Sequence, residues 1–119
     1  MDLKTHHING IEISELTSKG LAISSVEEGI DFLGNIYFQG IDKVILYQHQ
    51  LFETFFDLSS GAAGEILQKF SNYRVRLALV GSFTAAASSS LRDFIKESNH
   101  YGHINFCENL EEALEKLSS

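Results

Sequence analysis

Short apolar runs alternate with helix-patterned segments along most of this chain, and that alternation limits the fold more than any single residue does. Lys43 to Tyr47 reads Val-Ile-Leu at its centre, Val75 to Val80 is apolar apart from Arg76 and ends at Gly81, and Ile104 to Cys107 is a third. Runs this short, bounded by turn residues, suit strands of a parallel sheet buried on both faces. The segments between them carry apolar residues at helical spacing. Ser25-Val-Glu-Glu28 has the spacing of a capping box with acids in its first turn, and Val26, Ile30, Leu33 and Tyr37 carry the stripe toward Gly40. Ala63, Ile66, Leu67 and Phe70 form a second stripe after Ser60. Ser90 heads a third, with Leu91, Phe94, Ile95 and Ser98. Asn109-Leu-Glu-Glu112 heads a fourth, with Leu110, Ala113, Leu114 and Leu117 on one face.

The N-terminal part follows a different pattern. Residues 4–8 and 11–17 flank Asn9-Gly10, a two-residue hairpin signal. Ile11 and Ile13 alternate with Glu12 and Ser14, as in a half-buried strand. Leu21 to Ser24 reads as a further short strand, and the aromatic-rich Leu51 to Phe56 as a short helix or turn packed on the core. Together these features predict an α/β fold: a single layer-packed domain over residues 1–119, with a mixed, largely parallel sheet, an N-terminal β-hairpin at one edge and about four helices. Two stretches need separate reading. Asn35-Ile-Tyr-Phe-Gln-Gly40 looks like an engineered protease-cleavage tag, but Gly34 stands where such a tag needs an acid, so it reads as a native helix-to-strand connection. Ala85-Ala-Ala-Ser-Ser-Ser90 reads as a low-complexity loop leading into a capped helix.

Charge narrows the partners. The formal net charge is −7, and the nine Lys and Arg residues are scattered, with no cluster that could track a phosphate backbone. Nucleic acid is therefore not an expected partner; a basic protein or a small ligand fits better. The single cysteine, Cys107, rules out an intramolecular disulfide and suits a reducing compartment. The first seven residues lack a hydrophobic signal region, and no apolar run approaches the roughly 20 residues of a membrane span. The expectation is a cytoplasmic protein with no membrane partner.

The most informative site lies at residues 57–67, Asp57-Leu-Ser-Ser-Gly-Ala-Ala-Gly-Glu-Ile-Leu67. A serine pair runs into four Gly and Ala residues that open a helix. Ser60 falls at the expected N-cap, where serine contributes about 1 kcal/mol by satisfying one free N–H. The helix start would present backbone N–H groups and a positive dipole to a phosphate or a partner. Gly61, Ala62, Ala63 and Gly64 either allow tight helix–sheet packing or leave a smooth docking surface. Ser82 and Thr84, beyond the next strand, could join a ligand site with this helix start. The segment lacks the Gly-Lys-Ser/Thr ending of a nucleotide loop and the Gly-x-Gly-x-x-Gly of a dinucleotide turn.

Catalytic and metal motifs are weak. There is no Gly-x-Ser-x-Gly elbow and no His-Glu-x-x-His. His100, His103 and Cys107 have suggestive spacing but no fourth ligand. Cys107 in a buried strand behaves as a small hydrophobe. No catalytic residue, metal or cofactor is expected. Phe52, Phe55 and Phe56 read as core, with an interface anchor as the alternative.

Three stretches, Phe55-Phe56-Asp57-Leu58, Gly64 to Arg74 and Ser90 to Asn99, together with most of the rest of the chain, resemble a bacterial family known only as domain of unknown function 4180. That resemblance implies no activity. More distantly, the order of elements is similar to the domain shared by sulfate transporters and anti-sigma-factor antagonists (STAS). That domain carries Asp-Ser/Thr-Ser-Gly before a small-residue helix start, and phosphorylation of its serine blocks binding to a partner kinase. Ser59-Ser60-Gly61 matches this element, with Gly64, Ile66 and Leu67 matching the helix beyond. Phe106 to Leu114 resembles its closing strand and helix. The resemblance implies a regulatory protein-binding module with Ser60 as the candidate phosphoacceptor and Ser59 beside it as the second candidate. Gly61, Ala62 and Gly64 would form the docking surface, and Asp57 and Glu65 would set its charge. One departure stands out: Leu58 intervenes, so Asp57 lies three residues before Ser60 rather than two. The alternatives are a small-ligand or anion-binding domain at the same helix start, or a structural oligomerisation module such as a homodimer.

Overall fold

The computed structural model describes residues 2–83 and 88–119. Strands β1 (Leu3–Ile8) and β2 (Ile11–Leu16) form the expected hairpin, paired antiparallel from Leu3↔Leu16 to Ile8↔Ile11. Asn9 and Gly10 hold φ of 51° and 80°. A two-residue turn needs positive φ at both positions to match strand twist, which is why Asn-Gly serves there. Helix α1 (Val26–Phe38) leads to β3 (Lys43–Tyr47), and three short 3-10 turns follow, at Gln48–Gln50, Glu53–Phe56 and Leu58–Ser60. Then come α2 (Ala62–Asn72), β4 (Arg76–Val80), α3 (Ser89–Tyr101), β5 (Ile104–Cys107) and α4 (Leu110–Leu117).

The five strands lie in chain order, β1-β2-β3-β4-β5, and all pairs after the hairpin are parallel. Alternate residues of each strand feed two cores. On one face Val44, Leu46, Leu77, Leu79, Ile104 and Phe106 pack with Phe32, Leu33 and Ile36 of α1 and Ile66, Leu67 and Phe70 of α2. Phe94 and Ile95 of α3 close the same side. On the other face Ile13, Ile45, Ala78, Val80 and Cys107 meet Ala113 and Leu117 of α4. Burying a side chain of this size is worth about 1.5–3 kcal/mol.

Side-chain caps set several boundaries. Ser25 accepts Glu28 N–H at 3.1 Å, while Glu28 reaches back to Ser24 N–H at 2.8 Å. That backbone hydrogen bond holds the Glu28 carboxyl below its ordinary range. Asn109 caps α4 in the same way, accepting Glu112 N–H at 2.8 Å. Buried Gln50 ties β2 to β3: its amide donates to Leu16 O and Ser18 O, and its carbonyl accepts Tyr47 N–H. Glu15 makes a second tie, accepting the Tyr47 hydroxyl at 2.7 Å and pairing with His6 at 2.8 Å.

Four local expectations change. Leu21–Ser24 is not a strand; Ile23 makes one bridge to Leu51, because Gln50 O accepts both Ala22 N–H and Ile23 N–H and bends the chain away from the sheet. The cap of α3 is Ser88 rather than Ser90, since Ser88 accepts Leu91 N–H and brings Leu91 inward. Residues 84–87 of the expected loop lie outside the described residues. In α1, Tyr37 is 52% exposed, and Gly29, Phe32, Leu33 and Ile36 form the buried stripe. Residues 35–38 of the tag-like segment are the last turn of that helix.

Gly29 explains why α1 and α2 approach so closely: a Cβ there would lie 2.7 Å from Ile66 Cδ1. Gly64, also helical, faces open space. Gly29→Val is expected to lower the unfolding free energy by about 1–3 kcal/mol through overpacking. Gly64→Ala is expected to raise it by about 0.5–1 kcal/mol by relieving backbone entropy. Parallel denaturant titrations check both. Burial, then the hydrogen bond to Glu15 and its charge, push the Tyr47 phenol from 10.0 up to about 12. The folded state thus holds this proton longer, adding stability below pH 10 that is lost as pH rises to about 12. Tyr47→Phe is expected to flatten the fall in stability between pH 10 and 12 relative to wild type, read by melting across that range.

Candidate functional site at the start of helix α2

The chain leaves β3 through its 3-10 turns because local side chains compete for the backbone. Asp57 accepts Ser59 N–H at 3.1 Å and the Ser59 hydroxyl at 2.6 Å, closing an Asx-type turn. Gly61 then adopts φ 79°, ψ −7°, a left-handed conformation that glycine takes without a Cβ penalty. The helix therefore begins at Ala62, and Gly61, not Ser60, is its N-cap. Ser60 acts from one residue further back: its hydroxyl donates to Thr54 O at 2.8 Å and accepts Ala62 N–H at 3.2 Å. It still satisfies one free helix N–H, and it remains exposed.

The expected site residues separate by burial. Asp57, Ser59, Ser60, Gly61, Gly64 and Glu65 lie on the surface, whereas Ala62 is only 5% exposed and Ala63 2%. The smooth surface expected over Gly61, Ala62 and Gly64 is thus reduced to its two glycines; Ala62 turns inward because the stripe it joins faces the sheet. The Asp57 carboxylate bonds Ser59, while the Ser60 hydroxyl bonds Thr54 O. Leu58 itself packs against the core. Beneath the turn, Phe55 is buried and Phe52 and Phe56 are partly so. Ring contacts run from Phe55 to Phe56, Phe83 and Phe106, at centroid distances of 4.9, 5.7 and 5.1 Å. The aromatic segment is core.

Asp57 and Ser82 do come together. They line a cavity of about 380 Å³ at the carboxyl ends of β3 and β4, with Gln48, Glu53, Phe56, Phe83, Ser88 and Leu91. Thr84 lies outside the described residues. Gln48 shapes this cavity: its side-chain carbonyl accepts Ser82 N–H at 3.1 Å, and a Cβ on Gly81 would fall 2.6 Å from Gln48 Cβ. Sequence reasoning missed Gln48, Glu53 and Ser88, because polar residues beside turns carry no pattern that marks them as neighbours.

The remaining candidates disperse. His100 is exposed on α3, the His103 ring lies 3.4 Å from Phe70 O, and Cys107 is buried against α4. Among the described residues no group of three or more metal-ligating side chains forms. Burial, then Glu112, pushes the Cys107 thiol up to about 12, so it carries negligible thiolate at neutral pH. No helix among the described residues is long and apolar enough to cross a membrane.

No curated protein and no solved structure matches the chain. The model of one family, described as Domain of unknown function (DUF4180), matches residues 8–117, and the chain belongs to that family.

Proposed function

We propose that this chain is a cytoplasmic, non-enzymatic protein-binding module of the anti-sigma-factor-antagonist type, with the exposed start of α2 as its docking surface and Ser60 as its switch. The observation that carries this reading is the exposed residue Ser60 directly before the left-handed Gly61. A kinase could reach it without unfolding the core. The strand-helix order and the position of the serine between β3 and α2 also agree with the resemblance to that domain.

A phosphate on Ser60 would lose the hydroxyl proton that bonds Thr54 O. It would add a charge of about −1.5 to −2. The N–H groups at the start of α2 attract such a group, which would settle over Gly61 and Gly64 and cover them. A partner lying against the two glycines would then be excluded. A pull-down with wild type, Ser60→Ala and Ser60→Glu tests this. The same partner is expected on wild type and Ala and lost on Glu; equal recovery on all three removes the switch. Each variant loses hydrogen bonds worth about 0.5–1.5 kcal/mol, so circular dichroism must show all three folded.

The cavity beside Asp57 favours a second reading as a small-ligand site. Two carboxylates, Glu53 and Asp57, and no basic side chain among its described lining residues suit a cationic or neutral polar ligand better than an anion. Polyamines or nucleosides should then raise the melting temperature while phosphate and sulfate do not, since only a specific ligand stabilises by mass action. No shift with any of them dismisses the cavity.

A further inference from the structure

Helices α2 and α3 share one face of the sheet yet make little contact with each other. An open trough of about 350 Å³ runs between them. Leu67, Phe94 and Ile104 form its apolar floor, while Gly64 and Tyr101 stand on opposite rims. The lining positions recur every three or four residues on both helices, 64, 67, 68 and 71 on one and 94, 98 and 101 on the other. Each helix therefore gives a strip roughly two turns, or about 10 Å, long. A third helix could lie between them as a ridge in a groove. Nothing stands within 4 Å of a Cβ on Gly64, so its rim is low, and Tyr101 is 76% exposed on the other rim.

Among the described residues the trough lining holds no carboxylate, and its polar side chains are Gln68, Ser71, Ser98, Tyr101 and His103, so charge acts on it from the flanks. Glu97 lies three residues after Phe94 and four before Tyr101, on the trough side of α3, with Asp93 one turn earlier. Both carboxylates are exposed, and Glu65 on α2, also exposed, shares the outward crest of that helix with Lys69 four residues on. Arg92 and Lys96, four residues apart, fall on the other flank of α3. A second copy of this chain would set like charges against each other, in a protein of net charge −7.

We infer that the trough is a docking groove for an amphipathic helix of a partner protein, with apolar residues at i, i+3 or i+4, and i+7 and basic residues along its flanks. The inference rests on the reading of the chain as a protein-binding module. Its test is selection of a displayed random peptide library on the intact protein. Enriched peptides are expected to share apolar residues at helical spacing and a net positive charge. Their affinity should fall about tenfold or more on Gly64→Trp, which fills the trough, and severalfold on Glu97→Lys. Circular dichroism confirms each variant folded. Neutral or acidic peptides, peptides without helical spacing, binding indifferent to Gly64→Trp, or no enrichment at all overturns the inference. If helical basic peptides bind wild type and Ser60→Glu equally, the groove stands and the switch falls. If a lysate partner is lost on Ser60→Glu while no groove peptide emerges, the groove falls and the module remains.

Discussion

The crossovers from β2 to β3, β3 to β4 and β4 to β5 each step one strand in the same direction, and crossovers of a common hand deliver their helices to the same face. Three helices therefore crowd one side of the sheet and only α4 covers the other. Open α/β sheets that bind ligands at a strand-order reversal have a crevice built into their topology; a sheet in chain order does not. The cavity beside Asp57 is accordingly built from turns and the start of α3. The crowded face has limited room, which is why Gly29 lets α1 close on Ile66 while α2 and α3 stay apart. On the sparsely covered face, His6, Glu15 and Tyr47 link the three N-terminal strands through hydrogen bonds instead of a helix.

Features fixed by neighbouring residues were legible in the sequence. Asn9-Gly10 specifies its turn whatever the rest of the chain does, and Asn109 caps α4 because Leu110, Ala113 and Leu117 leave one face to bury. The stripe of α2 and the strands around Val44–Leu46 and Leu77–Val80 read correctly for the same reason. What escaped depends on contacts distant in sequence. Three consecutive serines, Ser88 to Ser90, are equivalent caps locally, and the choice falls to Ser88 because that start turns Leu91 inward. Leu21–Ser24 has the composition of a strand but sits where Gln50 O takes two of its N–H groups. Tyr37 matches the period of α1, yet it meets the Tyr73 ring at 5.1 Å on the surface rather than the core.

The candidate site shows the same division. That a helix opens after Ser59-Ser60-Gly61 was readable; that Ser60 caps from outside the helix was not. The difference arises because Asp57 spends its carboxylate on Ser59, which tightens the 3-10 turn and leaves Gly61 to reverse the chain. Ser60 is thereby left on the outer surface with its hydroxyl satisfied by Thr54 and Ala62.

A phosphate on Ser60 and an acidic-rimmed groove for a basic helix pull in opposite directions, and magnitudes decide between them. Added negative charge attracts a basic partner, but an exposed ion pair is worth only about 0.2–1 kcal/mol. Physiological salt screens it beyond about 8 Å, so it acts on the near end of the trough alone. Gly64 is the third residue of α2, four positions after Ser60 and just beyond the left-handed Gly61. A phosphate folded over Gly61 toward the α2 N–H groups would occupy the space that the proposed partner's first apolar anchor needs. Excluding one such side chain forfeits about 1.5–3 kcal/mol, more than the charge returns. In the proposed reading the steric contribution therefore sets the sign, and a phosphate on Ser60 would release even a partner that the charge alone would favour.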